Sequence, residues 1–318
     1  MYTIRPFEPT DAEYESVVAV YNAAWPDDPS TVENWKHNDT HRDPQYLHRR
    51  FVIENQAKLV ATGSFYEISW SHQPGKYGVD VTIHPSYAAD GLERLFYDFA
   101  MDQLFAREPR PVKFVSDARE DQPDRIEFLQ QNGFAQTMRY PRSELDINEF
   151  DPAPFEGIME KLRGEGIEIV TLTELISRDP DWKRRLYELE WEIDQDMPSL
   201  DAPTRPPFEQ FEKKFIHPNF RSDGWFIAVE KGECVGLSNL WTSNANPLKI
   251  YVGLTGVARS HRRRGIATAV KLPTIDFARS VGARYISTDN EENNPMYQLN
   301  LKLGFRPMPA WLDFEKRV

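Results

Sequence analysis

The sequence predicts an α/β protein made of two similar domains. Three observations predict it. Strand-like and helix-like patterns alternate along most of the chain. Their order recurs once, over a period far longer than that of a solenoid repeat. The length of 318 residues accommodates two domains of ordinary size.

In the first half, residues 2–6 alternate as a strand. Thr10-Asp11 then suits the cap of a helix over 11–24, where Val17, Val20, Tyr21 and Ala24 fall at helical spacing. A short helix near 30–38 precedes strands at 50–54, 58–69 and 77–84. A helix over 89–106, a strand at 112–116 and a helix over 123–131 follow, and extended pieces run to about 147. The second half repeats the order. A strand at 167–172 is followed by Thr173 as a cap, then by a helix over 181–194 with Leu186, Leu189 and Ile193 on one face. Strands fit 225–230, 234–242 and 249–257, a long helix fits 262–281 and ends at Gly282, and a strand at 284–288, a helix over 294–303 and a strand at 310–316 close the chain. The stretch 144–165 mixes prolines and charges as a connection does, so the expected domains are 1–147 and 166–318 with a linker over 148–165.

The repeat aligns without gaps in one place. SDAREDQPDRIEFLQQNGF at 116–134 and STDNEENNPMYQLNLKLGF at 287–305 share Ser116/Ser287, Glu120/Glu291, Gly133/Gly304 and Phe134/Phe305.

Composition excludes several classes. The formal net charge is −12, which repels phosphate backbones and anionic lipid, so neither nucleic acid nor a membrane surface is an expected partner. Cys234 is the single cysteine, so no internal disulfide forms. No apolar run reaches the ~18 residues of a membrane span. The start MYTIRPFEPTDAEY has no basic segment leading into an apolar one and does not read as a secretory signal. The expectation is a soluble, cytoplasmic protein.

The chemistry is concentrated in 249–305. The strand KIYVGLTGV leads through Ser260-His261 and Arg262-Arg263-Arg264-Gly265-Ile266-Ala267 into the long helix. The first turn of a helix presents free N–H groups and the positive end of a dipole. Gly265 and Ala267 let an anion approach that backbone, and three consecutive arginines add charge to an otherwise acidic chain. The segment is neither a Walker loop, which needs Gly-Lys-Ser/Thr, nor Gly-x-Gly-x-x-Gly. A solvated basic face is the bland reading of the arginines alone; with the glycine, the alanine and the preceding strand, anion binding is the better one.

The pattern Arg-x-x-Gly-x-Ala resembles the pyrophosphate loop of the GNAT superfamily of N-acetyltransferases. Asp289-Asn290, the helix after Asn294 and the closing Leu303-Gly304-Phe305 resemble that family's last segment. The likeness covers most of 166–318 and extends weakly, by element order, to 1–147. It implies two tandem domains, each a mixed twisted sheet flanked by helices, with a splayed pair of central strands. It also implies acetyl-CoA as cosubstrate, in the wedge between those strands, and an amine that attacks the thioester directly. Thr255 and Val257 would hold the pantetheine arm and polarise the carbonyl. Arg262, Arg263, Arg264, Gly265, Ile266, Ala267 and Thr268 would form the pyrophosphate loop, with Asn290 beyond it. No metal is expected: the seven histidines lack metal spacing, and His37 and His41, at i and i+4, enclose only polar residues.

The sequence departs from the family at the proton donor. The family's tyrosine, three residues before the leucine of Leu-Gly-Phe, corresponds to Asn300, and an amide is no acid. Tyr297, one turn earlier, is the only phenol of that helix and the candidate acid; the alternative is that it packs. Asn300 is left to bond the thiol or the cofactor amide. In the run Glu188, Glu190, Glu192, Asp194 and Asp196, Glu190 or Asp194 is a candidate to hold a cationic acceptor; the bland alternative is a solvated face. Cys234 reads as a packed thiol.

The first half has lost the loop. Aligning Gly91 with Gly265 puts Ala88 at Arg262, Asp90 at Arg264 and Glu93 at Ala267, while Leu129 matches Asn300. Carboxylates at that helix start repel a pyrophosphate. The expected protein is an acetyl-CoA-dependent N-acetyltransferase for a small amine, catalytic in its C-terminal domain, with a degenerate N-terminal copy, in a tandem layout like that of mycothiol synthases. The oligomeric state is left open, a monomer whose two domains form a pseudo-dimer being favoured. The alternatives are a non-catalytic acyl-CoA-binding or sensing protein and an acyltransferase of thiol metabolism.

Overall fold

The computed structural model describes residues 1–318. The chain divides into two compact units: Met1–Met138 with Trp311–Val318, and Arg139–Ala310.

In the first unit, β1 (Tyr2–Pro6), α1 (Asp11–Ala24), α2 (Val32–His41), β2 (His48–Asn55), β3 (Lys58–Glu67), β4 (Lys76–Ile83), α3 (Leu92–Phe105), β5 (Lys113–Arg119) and α4 (Pro123–Gln131) follow in order, and β6 (Ala135–Asp146) begins. Thr10 caps α1 by accepting from the Glu13 N–H, as its position predicts. In the second unit the order is α5 (Ile158–Gly164), β7 (Ile167–Thr171), α6 (Leu172–Arg178), α7 (Trp182–Asp194), α8 (Phe208–Glu212), β8 (Trp225–Glu230), β9 (Glu233–Trp241), β10 (Lys249–Val257), α9 (Ile266–Ser280), β11 (Tyr285–Asp289), α10 (Pro295–Lys302) and the start of β12 (Arg306–Arg317). Thr171, and not the expected Thr173, caps α6, in a reciprocal box with Glu174.

The strands of the two units follow one plan. Strands β1-β2-β3-β4-β5 continue into β12 in the first unit, and β7-β8-β9-β10-β11 continue into β6 in the second. Trp311–Arg317 pairs antiparallel with Lys113–Arg119, and Arg142–Asp146 pairs antiparallel with Tyr285–Asp289. Each unit's last strand is therefore supplied by the other half of the sequence. This differs from the expected spans of 1–147 and 166–318. The expected linker over 148–165 also carries structure, since α5 lies within it and its Leu162 is fully buried.

In the second unit, alternate residues of β8 enter different cores. Phe226 and Ala228 join a cluster with Ile266, Val270 and Phe277 of α9. Trp225 and Ile227 join one with Leu186, Leu189 and Ile193 of α7. Because side chains on a strand alternate between faces, α9 and α7 cover opposite faces of the sheet. Gly256 permits the close approach of α7: a Cβ there would lie 2.5 Å from Ile193.

The parallel pair β10 and β11 is joined only at Lys249–Tyr251 against Tyr285–Ser287, although β10 runs on to Val257. Beyond that point the strands part. The pairing of β10 with β9 also shifts register between Val252 and Thr255; there the Asn239 side chain accepts from the Leu254 N–H at 2.7 Å.

Candidate active site

The wedge between β10 and β11 opens into a cavity of about 650 Å³ within the second unit. Its walls are Val252–Val257 of β10, the turn and first residues of α9, Thr288–Asn290 at the end of β11, and Asn294, Met296 and Leu299 around α10. Ile193, Asp196 and Met197 close one side.

Local sequence explains the loop. Arg263 and Gly265 take positive φ, +61° and +94°, so residues 262–265 form a turn and the helix starts only at Ile266, later than its periodicity predicts. No side chain caps α9. Its first-turn N–H groups therefore carry the positive dipole end without a side-chain acceptor. Arg262 donates to the Val257 carbonyl at 3.0 Å and to Asp196 at 2.6 Å. Hydrogen bonds from Arg259 and Arg262 hold the Asp196 carboxyl down to about 2. Arg264 points away from the cavity, into ion pairs with Glu165 and Glu230 at 3.1 Å. His261 bonds the other Glu230 oxygen at 3.0 Å.

Segment 148–165 builds part of this loop. Ile158 of α5 lies 3.0 Å from where a Cβ on Gly265 would sit, Lys161 donates to the Arg264 carbonyl at 3.3 Å, and Glu165 holds the Arg264 guanidinium. Sequence reading assigned these residues no part in the site.

Of the expected cofactor residues, Thr255, Val257, Arg262, Arg263, Gly265, Ile266, Ala267 and Asn290 line the cavity. Arg264 and Thr268 are not on its wall. The Thr255 hydroxyl bonds Ser238 at 2.9 Å. Tyr297 is half-buried and off the wall. Asn300 is 0% exposed; its amide donates to Asn290 at 2.7 Å, and its carbonyl oxygen is buried without a hydrogen-bond partner. Glu190 is also buried and off the wall, and takes the Lys214 ammonium at 2.5 Å. One turn on, burial and the Glu190 charge push Asp194 up to about 6 against the pull of Lys214. Burial pushes the Cys234 thiol up to about 12, which leaves it unreactive at neutral pH.

Lys271 was missed. It stands one turn after Ala267 on the same face of α9, lines the cavity and is 3% exposed. Its ammonium lies 5.6 Å from the centroid of the Phe305 ring. Burial alone lowers it from the usual 10.5 to about 7. The available signal was a lysine four residues after Ala267, between Val270 and Leu272, where an apolar residue fits the buried stripe.

The matching place in the first unit is filled. Gly91 adopts the same left-handed turn at the start of α3, with φ +72°. Glu93 of its first turn binds Arg125, which also reaches Ser116. With Phe96, Phe128 and Leu129 they leave a space of about 10 Å³.

Comparison with known proteins agrees with this geometry. The acetyltransferase (GNAT) family matches residues 183–305. A tandem GNAT protein from the clavulanic acid biosynthesis pathway is 19% identical and superposes over 100% of this chain and 98% of its own, with a TM-score of 0.75. A GCN5-related N-acetyltransferase from Sphaerobacter thermophilus is 18% identical over 99% and 95% of the two chains, with a TM-score of 0.69. A GNAT-family acetyltransferase from Colwellia psychrerythraea is 12% identical over 99% and 100%, with a TM-score of 0.61. No curated protein matches the chain by sequence. No helix is long and apolar enough to cross a membrane. Residues 183–305 thus match the acetyltransferase (GNAT) family, in a chain with the tandem GNAT fold.

Proposed function

We propose that the second unit transfers an acetyl group from acetyl-CoA to the nitrogen of a small amine, and that the first unit has no transfer site of its own. One contrast carries this reading: the second unit holds a cavity of about 650 Å³ at an uncapped helix start, whereas side chains leave about 10 Å³ at the matching place in the first.

The residues present suit the cosubstrate. The turn at Gly265 leaves the first N–H groups of α9 open to a diphosphate, Arg262 and Arg263 add positive charge, and Ala267 keeps the approach clear. The parted edge of β10 offers backbone groups to an amide-bearing arm. Acetyl-CoA, when bound, supplies an acyl group activated as a thioester.

Calorimetric titration of acetyl-CoA is expected to give one site per chain. Ala267→Glu, which copies Glu93 of the first unit, is expected to weaken binding at least tenfold. Two equivalent sites, or unchanged affinity in the variant, would contradict the assignment. Release of free thiol with a panel of small amines then tests transfer. A second reading, an acyl-CoA-binding or sensing module, is favoured by the placement of Tyr297 and Asn300 off the cavity wall. It predicts binding without thiol release for every amine.

A further inference from the structure

Acetyl transfer to an amine ends with a thiolate that needs a proton, and the expected donor is not placed to give one. Tyr297 is off the cavity wall, and the Asn300 amide is spent on Asn290. One cavity-lining side chain combines burial, an exchangeable proton and freedom from an ionic partner. Lys271 is 3% exposed, and its ammonium meets the Phe305 ring and no carboxylate. The remaining charged or titratable groups of the wall are Asp196, His261, Arg262, Arg263 and Asp289. Asp196 is occupied by two arginines and His261 by Glu230. None of these groups contributes to the lowering at Lys271, whose sole cause is burial.

Position supports a role beyond the diphosphate. Lys271 is five residues past the first residue of α9, about 7.5 Å along the axis at 1.5 Å per residue. It therefore lines the cavity more than one helical turn away from the helix start, on the face that carries Ala267.

We propose that Lys271 is the proton-transfer residue of this site, its Nζ cycling between ammonium and amine. The inference rests on the acetyl-transfer reading above. The acceptor nitrogen bonds to the acyl carbon, and the carbon–sulfur bond breaks with its electron pair going to sulfur. The Lys271 ammonium gives that sulfur a proton and is left as a neutral amine. The proton shed by the acceptor nitrogen returns to Lys271 through water, so no proton is gained or lost. A lysine at its ordinary 10.5 would be a poor donor to a thiolate whose acid titrates near ~8.5; one held at about 7 is matched to the task.

The first test needs no cosubstrate. Lysines of the full-length protein are reductively methylated with a carbon-13 label and titrated by NMR, with Lys271→Arg identifying the Lys271 signal. Titration near 7 is expected, and titration near 10 overturns the proposal. The second test compares wild type, Lys271→Met and Lys271→Arg. Acetyl-CoA affinity by calorimetry is expected to stay within about threefold in Lys271→Met, while kcat falls by about 10²–10⁴-fold. The decline of wild-type kcat as pH rises through about 7 is expected to vanish. Arginine keeps the charge but does not release its proton, so Lys271→Arg is expected to be slow as well. Near-normal kcat with an unchanged pH profile in Lys271→Met overturns the proposal, as does a loss confined to affinity. If wild type binds no acetyl-CoA, the acetyl-transfer reading itself fails, an outcome separate from normal turnover in a variant that binds.

Discussion

Burying an amine in an apolar wall ties stability to pH, and Lys271 sets the sign. Its folded value, about 7, lies below the 10.5 of an exposed lysine. Below pH 7 both folded and unfolded chains are protonated, and the folded one bears the whole cost of a desolvated charge. Between 7 and 10.5 the unfolded chain binds a proton that the folded chain does not, so this contribution makes stability rise with pH across that window and level off above it. The Phe305 ring returns only about 0.5–2 kcal/mol through its face, whereas every tenfold loss of proton affinity on folding costs about 1.4 kcal/mol. Lys271→Met is therefore expected to be more stable than wild type at pH 6, on the order of a few kcal/mol. The gap should narrow toward pH 10. Urea unfolding at pH 6, 8 and 10 checks this, and a variant no more stable than wild type at pH 6 would refute it. A substitution that stabilises the fold while lowering turnover would mark Lys271 as held for chemistry and not for packing.

At the scale of elements, the start of α9 is assembled from three segments: the turn after β10, the end of α7 and helix α5. Ile158 touches the space beside Gly265, so Ile158→Asp would bring a carboxylate to the helix start. An acid there favours the helix by about 0.3–1 kcal/mol, but it competes with a diphosphate for the same dipole. The variant is expected to fold normally and to bind acetyl-CoA about tenfold or more weakly, whereas Ile158→Val should bind as wild type does. Equal affinities for the two variants would remove α5 from the anion site. The loop was legible in the sequence because Arg262, Gly265 and Ala267 each act through local backbone geometry, which short spacing records. The contribution of α5 was not. IMEKLRG is too short for a helical period to stand out between prolines and charges, and nothing local states that Glu165 will meet Arg264. Thr171 replaced Thr173 as a cap for a similar reason: two threonines at i and i+2 fit equally until Glu174 decides between them. Tyr297 and Asn300 were located by counting along a helix, but their angle to the cavity depends on how α10 packs, which counting does not supply.

At the scale of the whole molecule, the exchange of last strands means that sequence halves and folded units do not coincide. Alternation in a strand records which side chains are buried, and so 310–316 was legible as a strand. It does not record the neighbour, because any strand edge offers the same N–H and C=O groups. Leu312 and Phe314 are buried in the core of the first unit, with Phe51, Phe96 and Phe114, although they follow directly on residues of the second. Phe314 is 0% exposed, and truncating a buried phenylalanine costs about 3–5 kcal/mol. That is a large share of the roughly 5–15 kcal/mol that holds a domain folded. Phe314→Ala is accordingly expected to raise amide hydrogen exchange in β4, β5 and α3, elements distant in sequence. Saturating acetyl-CoA should act elsewhere, slowing exchange in β10 and the first turn of α9, since a ligand stabilises the fold that binds it by about 2.7 kcal/mol at a hundredfold excess over Kd. Mass-resolved exchange distinguishes the two patterns. If Phe314→Ala instead loosened α9 and left β5 protected, the last strand would belong energetically to the half of the sequence that encodes it, and the strand exchange would not govern stability.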